Sequence, residues 1–250
     1  MATIAMLESR FRIHECEKLL KIYGGNTQYN TKDALDILKK FRISLDHVLE
    51  CSYYNQGCDG GYSFLVSKFF NEFEIYVNEC FEAKTNSCYQ TSCKDAGDFK
   101  NYKFTVSDYY YVGGSYGKTD AQNLKMELYK NGPIVVSFEP DDYLSYYKGG
   151  IYEPPEEFLE KMKMRYPWPK NGSLPEWQKV DHSVVLTGWG TEYVDGDRNK
   201  KVEYWKFQNS WGLAWGERGY FRIKTGKDLL GIESIGETAI PKIIEISGNK

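Results

Sequence analysis

Residues 181–190 read Asp181-His182-Ser183-Val184-Val185-Leu186-Thr187-Gly188-Trp189-Gly190. A histidine opens a run of β-branched and apolar residues, and a Gly-Trp-Gly segment closes it. Branched side chains restrict χ1 and suit the pleated chain, so the run predicts a strand over Ser183–Gly188. Similar short aromatic and β-branched runs predict strands at Tyr109–Val112, Ile134–Phe138, Glu203–Gln208 and Gly219–Ile223, with one helix near Ala121–Lys130. Toward the N-terminus the period changes. Met1, Ile4, Met6, Leu7, Phe11 and Ile13 lie at helical spacing, Ser44 reads as the N-cap of a helix over Leu45–Cys51, and a longer helix follows over Tyr62–Phe73. Helices first and strands later predict an α+β protein with two differently built lobes. The division falls near residue 100, giving a helical lobe over 1–100 and a β-rich lobe over 101–250. Within the second, the proline-rich stretch 153–181 reads as an exposed insertion.

Composition narrows the function classes. Of 250 residues, 41% are hydrophobic and 27% charged, as in folded soluble proteins rather than disordered ones. The 32 Lys and Arg against 35 Asp and Glu leave a formal charge of −3 with no basic block, which speaks against a nucleic-acid partner. Apolar runs fall far short of the ~20 residues a membrane helix needs.

Six cysteines stand at Cys16, Cys51, Cys58, Cys80, Cys88 and Cys93. The last five are separated by 6, 21, 7 and 4 residues, which does not form the close pairs of a zinc site. A disulfide-stapled region in an oxidising compartment is the expectation. Met1–Leu7 is too short for the core of a signal peptide, and no capping residue precedes the first helix. Both features predict that the natural N-terminus lies upstream.

Only three histidines exist. His14 and His47 lie in polar contexts on helices and are expected to be solvated surface residues. His182, at the mouth of a strand, is by spacing alone as consistent with a structural as with a catalytic role. A second cluster bears on that choice: Gln208-Asn209-Ser210-Trp211-Gly212, then Trp215-Gly216, then Gly219-Tyr220-Phe221. Composition alone allows an aromatic-rich turn core. The chemical alternative has the Asn209 side-chain oxygen accept a hydrogen bond from one imidazole nitrogen of His182, under the cover of Trp211. Fixing one nitrogen sets the tautomer and aims the other at a nucleophile.

In combination these segments resemble the papain family of cysteine peptidases. Gly57-Cys58-Asp59-Gly60-Gly61 looks like its Cys-x-Gly-Gly loop; Asn131-Gly132-Pro133-Ile134-Val135-Val136 looks like its Gly-Pro strand. Tyr147-Lys148-Gly149-Gly150-Ile151-Tyr152 looks like its Gly-Ile-Tyr segment, Asp181-His182 matches the catalytic histidine, and Asn209-Ser210-Trp211-Gly212 the catalytic asparagine. Met6-Leu7-Glu8-Ser9-Arg10, Tyr111-Val112-Gly113-Gly114, Gly219-Tyr220-Phe221-Arg222-Ile223 and Gly231-Ile232-Glu233-Ser234-Ile235 point to the dipeptidyl-peptidase branch.

The resemblance implies a papain-like two-lobed fold: a helical left lobe and an antiparallel, β-barrel-like right lobe, with the active-site cleft between them. It implies peptide or protein substrates, hydrolysis through a Cys-His-Asn site with His182 and Asn209, and no required cofactor or metal. Gly60 and Gly61 would pair with substrate backbone; Asp181 and Trp211 would flank the site. Tyr62 would line the S2 pocket, and Ile235 would floor it, favouring medium apolar side chains. A chloride beside that pocket would take one hydroxyl from Tyr111, but Phe64 stands where the second belongs. The implied disulfides are Cys51–Cys88 and Cys80–Cys93. An upstream exclusion domain, a homo-oligomer and a lysosomal, vacuolar or secretory location also follow from the likeness.

One departure dominates. The family nucleophile sits in a Cys-Gly-Ser-Cys-Tyr-type motif at the N-terminus of the central helix, and alignment puts it a few residues before Met1. Cys58 then lacks its partner, and Cys16, four turns along the same helix, is no substitute. The 250 residues are therefore expected to be inactive alone; a catalytically dead papain-fold binding protein is the alternative. Asn171-Gly172-Ser173 is a glycosylation sequon, and 153–181 is expected to be protease-sensitive.

Overall fold

A computed structural model describes residues 1–25, 28–81, 88, 101–165, 180–193 and 201–246, with backbone only over 161–165. The chain divides into two compact units, one holding Thr3–Tyr110 and Thr238–Lys250, the other Tyr111–Glu237.

The first unit carries α1 (Ala2–His14), α2 (Cys16–Gly24), α3 (Thr31–Leu38), α4 (Leu45–Cys51) and α5 (Ser63–Glu72). Helix α1 starts without a side-chain cap and buries Met6, Leu7, Arg10 and Phe11 completely. Phe11, Phe41 and Phe104 form its aromatic core, with ring centroids 5.2–5.9 Å apart. The helix does not run on through Cys16 as expected. The chain breaks at Glu15, whose carboxylate accepts the Ile243 N–H at 3.1 Å and pairs with Lys18 at 2.8 Å. Cys16 therefore opens a second helix.

Helix α4 has the expected bounds, with the Ser44 hydroxyl accepting the His47 N–H. His47 is not a solvated residue: it is 1% exposed. Its ring lies 4.6 Å from Tyr76, 5.1 Å from Phe81 and 5.3 Å from Phe69, and Nδ1 has no hydrogen-bond partner among the described residues. Burial pushes its pKa down to about 4. The polar neighbours in sequence misled because the apolar partners arrive from residues 69–81.

The second unit is built on β2 (Ile134–Phe138), β3 (Ile151–Tyr152), β4 (His182–Tyr193), β5 (Lys201–Gln208) and β6 (Tyr220–Lys224), with helices α6 (Ala121–Asn131) and α7 (Glu156–Arg165). Strand β2 pairs antiparallel with β4, β4 with β5 and β5 with β6, while β3 pairs parallel with β6. β1 (Tyr102–Tyr111) and β7 (Gly236–Glu245) complete the order β1-β7-β2-β4-β5-β6-β3. This is an open mixed sheet, not the barrel-like closure expected. Its core gathers Leu124, Ile134, Val136, Phe138, Leu186, Trp205, Phe207 and Phe221.

The stretch 153–181 is not all exposed loop. Helix α7 occupies its first part, and Phe158 and Leu159 pack against the core of the second unit. Its remainder over 166–179, including the Asn171 sequon, lies outside the described residues.

Candidate active site

His182 is the first residue of β4, opposite Phe138 in the β2 register. Phe138 is fully buried and meets the imidazole edge-to-face at 5.7 Å. One side of the ring is thereby held by a rigid strand. Asn209 follows the last residue of β5, its backbone N–H donating to Gly219 at 2.8 Å. Adjacent antiparallel strands end together here, which brings two residues far apart in sequence side by side.

His182 Nε2 lies 2.8 Å from Asn209 Oδ1. The same oxygen accepts the Ser210 backbone N–H at 2.8 Å. A backbone N–H can only donate, so the atom facing it must be the amide oxygen. Nε2 must then be the donor, and the neutral imidazole carries its proton there. Nδ1 is left as the basic nitrogen, with no hydrogen-bond partner among the described residues. Asn209 Nδ2 is buried without a partner among those residues, a cost of about 1–3 kcal/mol.

Trp211 stacks on the imidazole with centroids 5.1 Å apart and planes 29° apart, and is itself propped edge-to-face by Trp215 at 4.9 Å. It remains 38% exposed, so it covers one face of the His–Asn pair and leaves its own outer face to solvent. Asp181, next to the histidine, is exposed.

The other expected site residues divide between the units. In the first, Gly60 and Gly61 have φ of 110° and 153°, and Tyr62 is 58% exposed. Open space surrounds the position of a Cβ on Gly60, whereas one on Gly61 would meet Asn55 Oδ1 at 2.1 Å. Asn55, which the sequence did not single out, holds this loop by accepting the Tyr62 N–H at 2.8 Å. Phe64 packs on Tyr109 at 4.9 Å. In the second unit, Ile235 is only 1% exposed. Tyr111 stands edge-on to Tyr116 at 5.6 Å; burial and then the Glu237 carboxylate push its phenol up to about 12.

Cys51 and Cys88 form a disulfide. Cys80 is also disulfide-bonded; its expected partner Cys93 lies outside the described residues. Cys16 and Cys58 are free thiols, and Cys58 is exposed.

Comparison with known proteins gives the family. The model of the papain family cysteine protease matches residues 26–240. A cathepsin C of Schistosoma mansoni is 33% identical over 202 residues, covering 78% of this chain and 39% of the relative. A dipeptidyl aminopeptidase 1 of Plasmodium falciparum is 32% identical, covering 77% of this chain and 35% of the relative. The chain thus spans well under half the length of these two relatives. Among solved structures, a procathepsin B of Trypanosoma congolense superposes with a TM-score of 0.60 at 24% identity, covering 96% of this chain and 67% of that one. With the family model matched over most of its length and the papain-like fold in place, this chain belongs to the papain family of cysteine proteases.

Proposed function

We propose that the chain supplies the imidazole and amide of a Cys-His-Asn peptidase site of the dipeptidyl-peptidase type, with His182 as acid and base and Asn209 as its positioning residue. The observation that carries the reading is the 2.8 Å contact from His182 Nε2 to Asn209 Oδ1 beneath Trp211. With Nε2–H engaged, Nδ1 is the nitrogen that exchanges a proton with a thiol. The thiolate adds to the peptide carbonyl carbon, Nδ1–H protonates the departing amine as the C–N bond breaks, and a thioester remains. Water then adds to the thioester, giving its proton to Nδ1 as the thiolate leaves. Trp211 keeps water from competing for the Nε2–H bond.

Substrate is a peptide. Gly60 and Gly61 offer backbone to an extended chain beside Tyr62. The name of one relative, the dipeptidyl aminopeptidase 1 of Plasmodium falciparum, favours dipeptidyl action. The Glu237 carboxylate beside Tyr111 argues against an anion such as chloride there. The disulfides suit an oxidising, lysosomal, vacuolar or secretory compartment.

The second reading is a catalytically dead papain-fold binding protein. One pair of proteins separates the two readings. The 250 residues alone should not hydrolyse a dipeptidyl reporter. Preceded by a segment bearing the family's nucleophile motif, they should do so, with loss on thiol alkylation and a fall of about a hundredfold or more in His182→Ala. Hydrolysis that survives His182→Ala overturns the peptidase assignment; an inert extended protein supports the binding reading.

A further inference from the structure

The sheet of the second unit leaves part of one strand without a neighbour. Strand β2 accompanies β4 only over His182–Leu186, whereas β5 stays opposite β4 as far as Tyr193. Among the described residues, the outer edge of Gly188–Tyr193 is therefore open. The direction of its backbone groups follows from β6. The Thr225 N–H donates to the Glu203 carbonyl at 3.1 Å, so Glu203 turns its backbone groups toward β6. Thr191, opposite Glu203, then turns its own N–H and C=O away from β5. Alternation along the strand gives Trp189 and Tyr193 the same outward direction. None of the three has another backbone partner among the described residues.

Their side chains share one face and are poorly covered: Trp189 is 42% and Tyr193 50% exposed, and Thr191 is exposed as well. Proteins commonly blunt such an edge with lysine, proline or a bulge. Gly188–Tyr193 holds neither lysine nor proline, and the bulge between Leu186 and Gly188 precedes the open stretch. The nearby charges are already answered. Glu192, on the other face, pairs with Arg222, and Lys201 Nζ lies over the Tyr193 ring at 5.4 Å.

We propose that this edge pairs antiparallel with the same edge of a second copy of the chain, about a two-fold axis at Thr191. In that register Thr191 faces Thr191 of the second copy, and each Trp189 faces the Tyr193 of the other. All three outward residues then stand in hydrogen-bonded pairs, each exchanging two N–H···O bonds. Shifting the register by two residues loses one of these pairs. Aromatic pairs and a Thr–Thr pair are favourable cross-strand neighbours. Glu192 falls opposite Gly190, which has no side chain, so the two carboxylates do not face each other. His182 lies at the far end of β4, roughly 30 Å away along the strand, and the pairing is independent of the peptidase reading.

Sedimentation equilibrium of the 250-residue protein, from about 1 to 300 µM as suits a small interface, should show a monomer–dimer equilibrium. Thr191→Pro removes an outward N–H and no bond to β5, and should weaken the dimer by about tenfold or more. Cysteine pairs test the register separately. In a C16S/C58S background, Thr191→Cys should form an intermolecular disulfide in oxidised glutathione, because its two Cα atoms stand about 5.5 Å apart. Glu192→Cys, facing Gly190, should not. A protein that stays monomeric throughout this range overturns the proposal. So does a dimer that survives Thr191→Pro, or one in which Glu192→Cys crosslinks as readily as Thr191→Cys. The unaltered protein and the cysteine pair decide the matter if Thr191→Pro does not fold.

Discussion

Asn209 shows how much a single oxygen can determine. Because Oδ1 accepts the Ser210 N–H, it cannot be exchanged for the amide nitrogen, and the His182 tautomer follows. Gly61 is defined by a neighbour in the same way: its Cα faces Asn55, so any Cβ there collides. Gly61→Ala should therefore destabilise the first unit by about 1–3 kcal/mol, measured by urea denaturation. Asn55→Ala should lower the further cost of that change, a coupling that a double-mutant cycle resolves; strict additivity would mean that backbone strain alone sets the cost. At this scale the His182–Asn209 contact was legible, since each of the two residues stands at the end of a strong strand signal. His47 and Asn55 were not legible, because their partners Phe69, Tyr76 and Gly61 meet them only through the folded chain.

Among the elements, the turn from β6 to β7 is held by carboxylates. Glu233 accepts Trp205 Nε1 at 2.7 Å, the Gly226 N–H at 2.7 Å and the Asp228 N–H at 2.9 Å. Asp228 in turn accepts the Glu233 N–H at 2.7 Å and the Ser234 hydroxyl. These bonds secure a turn in which Asp228 and Leu230 take left-handed conformations at φ of 46° and 59°, directly before Ile235. Trp205→Phe keeps most of the ring and removes one charge-assisted bond to a buried carboxylate, so it should cost about 2–3 kcal/mol. An unchanged urea midpoint would show that the indole N–H contributes nothing. Element types were legible where the period was strong, as in α4, α6 and β2. Helices α2 and α3, the full length of β1 and the whole of β7 were not. Those elements owe their place to tertiary contacts such as Glu15 with Ile243 and Asn71 with the Val106 carbonyl at 2.7 Å.

For the whole molecule, the two units should answer acid in opposite directions. His47, in the first, titrates at about 4 in the fold against about 6.5 in an unfolded chain. The unfolded form takes up the proton first, so the first unit loses up to about 3 kcal/mol as pH falls from 6.5 to 4. Asp228, in the second, is pushed up to about 6, chiefly by burial. There the folded form takes up the proton first, and the second unit gains stability as pH falls through 6 toward 4. Hydrogen exchange at pH 6.5 and 4.5, corrected for intrinsic rates, should show protection falling over residues 44–76 and rising over 226–235; His47→Phe should abolish the first change. Parallel changes in both segments would refute this. The overall α+β plan was legible in the sequence, whereas the open edge of the sheet was not, since closure depends on strand pairing rather than period. The most direct measurement of the His–Asn assignment is the 15N NMR spectrum of the His182 side chain in its neutral form. A proton on Nε2 and a bare Nδ1, with that preference weakened in Asn209→Ala, is the expected result; a proton on Nδ1 in the unaltered protein would contradict it.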